Sequence, residues 1–245
     1  MTVLSDEISD ILQNMCADTS NTVCIISGRG REKMQQQFGH IQNIYIAAEN
    51  GFYYGWNKGE YDLEFYKLMN ITDWGWKAAV YDIIKSYQER TDGSIISTKD
   101  ASIRWFFRDV DTDFAIKEAN ELVAHLYTML ENLPIEIAQE KDYVEVRPAG
   151  LDKGVFAKKL LRRVEQLKGK PDFIMCIGDN KTDECMFKVV KEYATANGIE
   201  DVEFCITVGQ KVSQADYYLN DHNEVVSILP EIILSSIEVR KSIIK

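Results

Sequence analysis

The chain has 245 residues, 45% of them apolar and 27% charged. That composition suits a globular body with one or two cored domains. A net charge of −11 makes nucleic acid and anionic membrane poor partners. No apolar run reaches the roughly 18 residues of a membrane span, and the first residues lack a signal-peptide pattern, so the reading is a soluble, cytoplasmic protein.

Residues 5–16 are predicted as an amphipathic helix, with Ser5 as N-cap ahead of Ile8, Ile11, Leu12 and Met15. Residues 23–26 read as a buried strand, 32–38 as a helix and 44–47 as a second strand, an alternation that predicts a parallel sheet. The texture changes near residue 72. Residues 76–88 place Ala79, Val80, Ile83, Ile84 and Tyr87 on one helical face. Two paired strands follow at 94–99 and 103–108, then a long helix at 114–131 and strands at 135–138 and 143–147. This helix-strand-strand-helix-strand-strand order predicts a small α+β cap over 72–148, inserted into a core made of 1–71 and 149–245. The core resumes with a helix at 155–167, a strand at 173–177, a helix at 184–196, a strand at 204–208 and a helix at 224–236. Trp56, Trp74, Trp76 and Trp105 read as core residues rather than stacking platforms.

Cys24, Cys176 and Cys205 fall in apolar strand runs, while Cys16 and Cys185 add no metal-ligand spacing. Buried free thiols in a reducing compartment are the expectation. His40, His125 and His222 lie far apart and suggest no catalytic histidine.

The segment that carries chemistry is Ile177-Gly178-Asp179-Asn180-Lys181-Thr182-Asp183-Glu184, after the apolar run Phe173-Ile174-Met175-Cys176. A buried strand ending in Gly-Asp presents oxygen ligands where open α/β sheets place their sites. Asp179, Asn180 and Asp183 suit Mg²⁺, a hard, oxygen-seeking ion, although Asp and Asn after a strand are also ordinary turn residues. Asp183 reads either as a ligand or as an orienter of metal-bound water, and Glu184 as a helix-cap residue. Val23-Cys24-Ile25-Ile26 ends in Ser27-Gly28-Arg29-Gly30, where a hydroxyl and backbone N–H groups at a helix start can receive phosphate. Leu151-Asp152-Lys153-Gly154 opens another helix with a cation.

Strand-Ser-Gly, Lys-Gly and strand-Gly-Asp-x-x-x-Asp, in that order, resemble the haloacid dehalogenase superfamily of phosphatases. Ala47-Ala48-Glu49-Asn50-Gly51, Glu89-Arg90-Thr91-Asp92-Gly93-Ser94, Trp105-Phe106-Phe107-Arg108 and Val144-Glu145-Val146-Arg147-Pro148 resemble trehalose-6-phosphate phosphatase segments, as does Thr207-Val208-Gly209-Gln210-Lys211 leading to Tyr217-Tyr218-Leu219-Asn220-Asp221. The resemblance extends to the C-terminal domain of plant-type class II trehalose-phosphate synthase/phosphatase proteins, and it spans about residues 4–230. It implies a parallel, Rossmann-like core with an inserted cap, a sugar-phosphate substrate (trehalose-6-phosphate) and an N-terminal glycosyltransferase domain in the full protein. It puts Ser27 and Lys153 at the phosphate, Mg²⁺ on Asp179, Asn180 and Asp183, and substrate on Arg29, Glu49, Arg108, Glu145 and Arg147.

The sequence departs from that pattern. Asn180 stands where active members carry a second Asp, Asn50 and Phe106 replace histidines, and Ser97 replaces a cap Glu. These changes point toward weak metal binding and altered sugar recognition. The family also needs a nucleophilic aspartate and an acid/base aspartate at the end of a first strand ahead of the Ser-Gly-Arg segment. Here Asp6, Asp10 and Asp18 are isolated and follow no apolar strand. The expectation is a chain that starts after the motif and leaves a gap in the sheet or an exposed apolar edge near Val23 and Phe173. Asp109-Val110-Asp111 imitates the motif but lies on the wrong side of Ser27, and it reads instead as a polar turn capping the helix that follows.

Overall fold

The structure, a computed structural model, describes residues 4–59 and 63–243. The chain divides into two compact units, unit 1 from Met1–Leu68 with Asp152–Lys245, and unit 2 from Met69–Leu151. In chain order the elements are α1 (Asp6–Ala17), β1 (Cys24–Ile26), α2 (Arg31–Phe38), β2 (Tyr45–Ala48), β3 (Tyr53–Trp56) and β4 (Tyr66–Lys67). Unit 2 supplies α3 (Trp76–Gln88), β5 (Ile95–Thr98), β6 (Ile103–Phe106), α4 (Thr112–Leu130), β7 (Ile135–Gln139) and β8 (Tyr143–Pro148). Unit 1 resumes with α5 (Lys153–Lys168), β9 (Ile174–Gly178), α6 (Glu184–Asn197), β10 (Glu203–Val208), β11 (Tyr217–Leu219) and α7 (His222–Ile243).

Helix starts follow their caps. The Ser5 side chain accepts from Ile8 N–H, Asp111 from Phe114 N–H at 3.1 Å, and Asp152 from Val155 N–H at 2.8 Å. Asp111 is therefore the cap of α4, and Asp152 starts α5 at Lys153, two residues ahead of the sequence expectation.

Unit 2 is an antiparallel sheet in the order β5-β6-β8-β7. Alternation along β6 and β8 sends Ile103, Trp105, Val144 and Val146 into one cluster with Val80 and Ile84 of α3 and Leu122 and Leu126 of α4. Arg104, Glu145 and Arg147 occupy the opposite face of the same strands.

Unit 1 holds the expected parallel strands and breaks near Val23 and Phe173, where a gap or edge was expected. Its strands form two sheets, β1-β2-β3-β4 and β11-β10-β9. β1 and β2 run parallel, as do β9, β10 and β11, whereas β3 and β4 add antiparallel strands. β1 and β9 are outer strands, each with a neighbour on one side only among the described residues. Ile26 packs against the cluster of Ile174, Cys176 and Phe187, so the two edges share apolar contacts without ladder hydrogen bonds. None of the five cysteines forms a disulfide. Burial pushes Cys16 up to about 11 and also raises Cys24, with Cys176 adding to the effect. The tryptophans differ: Trp105 and Trp76 are buried, but Trp56 is exposed and stacks on its cross-strand partner Tyr45 at 5.7 Å. Among the described residues no helix is long and apolar enough to cross a membrane.

Candidate phosphate site

Parallel strands bring their carboxyl ends to one edge of a sheet, and the loops there converge. At the end of β1, Ser27 N–H donates to Ala47 O at 2.9 Å, and Ser27 Oγ accepts from Arg29 N–H at 3.1 Å. The hydroxyl proton of Ser27 is thus left to donate elsewhere. Asn50 N–H donates to Ser27 O and Glu49 N–H to Arg29 O, which ties the end of β1 to the turn after β2. That turn is left-handed at Glu49 and Asn50, and Glu49 is buried. Arg29 donates to Gln37 Oε1 at 2.6 Å. Gly51 has φ +99°, and a Cβ there would lie 2.4 Å from Phe156 Cβ, so the turn rests directly on α5. A Cβ on Gly154 would lie 2.5 Å from the Cys185 carbonyl, so the first turn of α5 sits against the first turn of α6.

This contact builds the core of the site. Lys153 Nζ donates to Asp183 Oδ1 at 2.7 Å, and both side chains are buried. The other oxygen, Oδ2, accepts from Asp179 N–H at 3.0 Å and Asn180 N–H at 2.9 Å. Asn180 and Asp183 close a capping box, and the Asn180 amide donates to Asp179 Oδ1 at 2.8 Å. Asp183 can fold back in this way because Gly178 has no side chain, since a Cβ there would lie 2.4 Å from Asp183 Cβ.

The donor set suits Mg²⁺ poorly. Both oxygens of Asp183 are committed inside the chain, the Asn180 amide is turned to its neighbour, and Asp179 Oδ1 is taken. Asp179 Oδ2 is the one carboxylate oxygen of the three residues without a hydrogen bond among the described residues. A small octahedral ion that relies on one or two protein carboxylates is poorly served by that set alone. No group of three or more His, Cys, Asp or Glu side chains that could hold a metal occurs among the described residues.

Two features escaped the sequence reading. Glu184 does more than start α6: its carboxylate accepts from Ser213 Oγ at 2.7 Å and Gln214 N–H at 2.6 Å, bracing the loop after β10. From that loop Lys211 Nζ donates to the carbonyl of Asp179. The signal for Lys211 was its place, a lysine in the loop after a strand parallel to β9.

The remaining candidates lie in unit 2. Arg104 Nε donates to Glu145 Oε1 at 2.6 Å, and Arg147 reaches Glu136 at 3.1 Å and Glu145 at 3.6 Å. Glu145 and Arg147 therefore belong to a buried ion network on the face of the sheet away from its apolar cluster. Arg108 stands apart from this network, over the Phe106 ring at 5.8 Å.

A Ser thus ends one parallel strand, and a buried Lys is paired to the last Asp of Gly-Asp-x-x-x-Asp at the end of another. Residues 1–223 match the sequence profile of the family described as Trehalose-phosphatase. The chain belongs to the trehalose-phosphatase family. It is 35% identical over 227 residues to probable alpha,alpha-trehalose-phosphate synthase (UDP-forming) 8 of Arabidopsis thaliana, covering 92% of this chain and 26% of that protein. It is 38% identical over 228 residues to probable synthase 11 of the same plant, covering 92% and 26%. The chain thus spans about a quarter of the length of these relatives. Among solved structures, the C-terminal domain of trehalose-6-phosphate phosphatase from C. albicans superposes with a TM-score of 0.82 at 28% identity, covering 94% of this chain and 84% of that one. The chain is thus a trehalose-phosphatase domain with a haloacid dehalogenase-like fold, related to plant class II trehalose-phosphate synthases.

Proposed function

We propose that this chain is the sugar-phosphate-binding body of a trehalose-6-phosphate phosphatase-like domain in a cytoplasmic protein. Hydrolysis in the intact protein draws on carboxylates that this chain does not place ahead of Ser27. The buried Lys153–Asp183 pair beside Asp179 carries the reading. Lys153 supplies positive charge where a phosphoryl group gathers negative charge, and Ser27 supplies a hydroxyl donor. Mg²⁺, once completed by carboxylates from a further strand, would be held in part by Asp179 and would offset phosphate charge. Glu145, Arg147 and Arg108 are the sugar-contact candidates, with Arg29 and Glu49 beside Ser27. The synthase names of the relatives, and the quarter of their length spanned here, support a glycosyltransferase domain elsewhere in the full protein.

The nucleophile decides between catalysis and binding alone. Residues 6–17 ahead of β1 are helix α1, so no aspartate ends a strand before Ser27 among the described residues. Asp111 is committed as a helix cap. The committed oxygens of Asp183 and the amide at Asn180 favour a second reading, a non-catalytic sugar-phosphate sensor.

Phosphate release from trehalose-6-phosphate with Mg²⁺ tests both, comparing this chain with one extended upstream. The chain alone is expected to stay at background, because a positioned acid/base alone contributes on the order of 10² to 10⁴ in rate. Turnover in the extended chain supports the enzyme, and turnover in neither supports the sensor. Turnover by this chain, abolished by Asp109→Asn, overturns the assignment of the Asp109–Asp111 turn.

A further inference from the structure

Charges at the carboxyl end of β9 are balanced in a way that the phosphatase frame does not require. Lys153 is matched by Asp183. Asp179 is the second carboxylate, and Lys211 brings a second ammonium to that residue's own carbonyl. With Lys181 and Glu184 of the same segment counted, three cations accompany three carboxylates, and this end of β9 has no net negative charge of the kind a divalent cation calls for. Lys211 bonds a neutral acceptor rather than a carboxylate, and among the described residues it forms no ion pair. Asp179 is gripped from both sides of its backbone, its N–H by Asp183 and its C=O by Lys211, so the two lysines serve acceptors four positions apart that are joined through the Asp183 carboxylate. An ammonium has three donors, and each lysine has spent one of them on its neighbour at this site.

The position of Lys211 is built rather than incidental. Glu184 pins its loop through Ser213 and Gln214. Lys191 holds Asp216 at 2.6 Å, and Gly209 N–H and Asp216 N–H bond Leu219 O and Cys205 O. The loop is thus closed at both ends and braced in the middle.

We infer that Lys211, acting with Lys153, makes this end of unit 1 a metal-independent site for the phosphate group of a sugar phosphate. The inference rests on the sugar-phosphate reading above and adds to it which cation takes the metal's place. Lys211 is the ligand-binding residue, and Glu184 is the positioning residue that keeps it over the turn.

Calorimetric titration tests this, with trehalose-6-phosphate and inorganic phosphate as probes, in EDTA and in Mg²⁺. Affinity is expected to agree within about twofold between the two buffers, and Lys211→Gln is expected to weaken it about tenfold in EDTA, the scale of one charge-assisted hydrogen bond. Lys211→Arg keeps the charge and is expected to stay within about threefold of the parent. Lys211 is exposed, so melting temperatures should coincide and serve as the folding control. Tightening by tenfold or more with Mg²⁺ overturns the inference and leaves the sugar-phosphate reading standing. So does a Lys211→Gln variant that binds like the parent, or a Lys211→Arg variant that loses as much as Lys211→Gln. Binding of inorganic phosphate as tight as that of trehalose-6-phosphate assigns the site to the phosphate group alone, as proposed. Binding of neither probe in either buffer removes both readings.

Discussion

The two units solve the same packing problem differently. Unit 2 is one continuous stretch whose antiparallel strands form two hairpins, β5-β6 and β7-β8, linked through α4, and its sheet places one face on a single apolar cluster. Unit 1 is built from two stretches and mainly parallel strands, and its sheets stop at β1 and β9. Parallel strands need crossovers, so their neighbours come from distant sequence, and a missing neighbour leaves an open edge. Unit 2 is fixed mostly by apolar volume. The functional end of unit 1 is fixed by a buried ion pair and glycines that admit close contacts.

Substitutions can break or sharpen that comparison. The largest effects are expected at Trp105 and Asp183. Trp105→Ala should cost about 3–5 kcal/mol by leaving a cavity, and Asp183→Ala about 3–5 kcal/mol by leaving Lys153 buried without its partner. Denaturant unfolding measures both. The ion-pair loss should be partly recovered by adding Lys153→Met, since removing the second charge lifts the penalty. A double variant no more stable than Asp183→Ala alone would show that packing, not charge, holds the site. Gly154→Ala should cost about 1–3 kcal/mol, because its Cβ meets the Cys185 carbonyl across the α5–α6 contact. In unit 2, Gly93→Ala should cost about 1 kcal/mol through its φ of +87°. The smallest effects are the helix caps. Asp152→Ala and Asp111→Ala should each cost about 1 kcal/mol by thermal melting, alike in the two units.

Most helices were legible in the sequence, because period-3.6 faces such as Val80, Ile84 and Tyr87 announce themselves. The strands of unit 2 were legible from alternation. β3, β4 and β11 were not: β3 holds Gly55, β4 has two residues, and β11 is mostly exposed, so none shows a clear pattern. The break in the core sheet near Val23 and Phe173 was legible from motif order, because no strand-ending aspartate pair precedes Ser27, whereas the antiparallel additions β3 and β4 were not. At the site, motif order pointed to Ser27, Lys153 and Asp179. It could not show that both oxygens of Asp183 are spent on Lys153 and the turn, nor that Lys211 reaches Asp179, since loop geometry sets both contacts.

The interrupted build of unit 1 has a consequence in time. Lys168 Nζ donates to the carbonyl of Thr19, 149 positions earlier, and to those of Ser20 and Asn21. A ribosome adding roughly 5–20 residues per second delivers these partners on the order of ten seconds apart. Unit 2 leaves the tunnel whole within that interval and can fold from local contacts. The first segment of unit 1 must wait for α5, β9 and α6 before Ile26 gains its apolar neighbours and Asn21 its lysine. Within this chain, the order of synthesis therefore lets unit 2 finish before the phosphate site of unit 1.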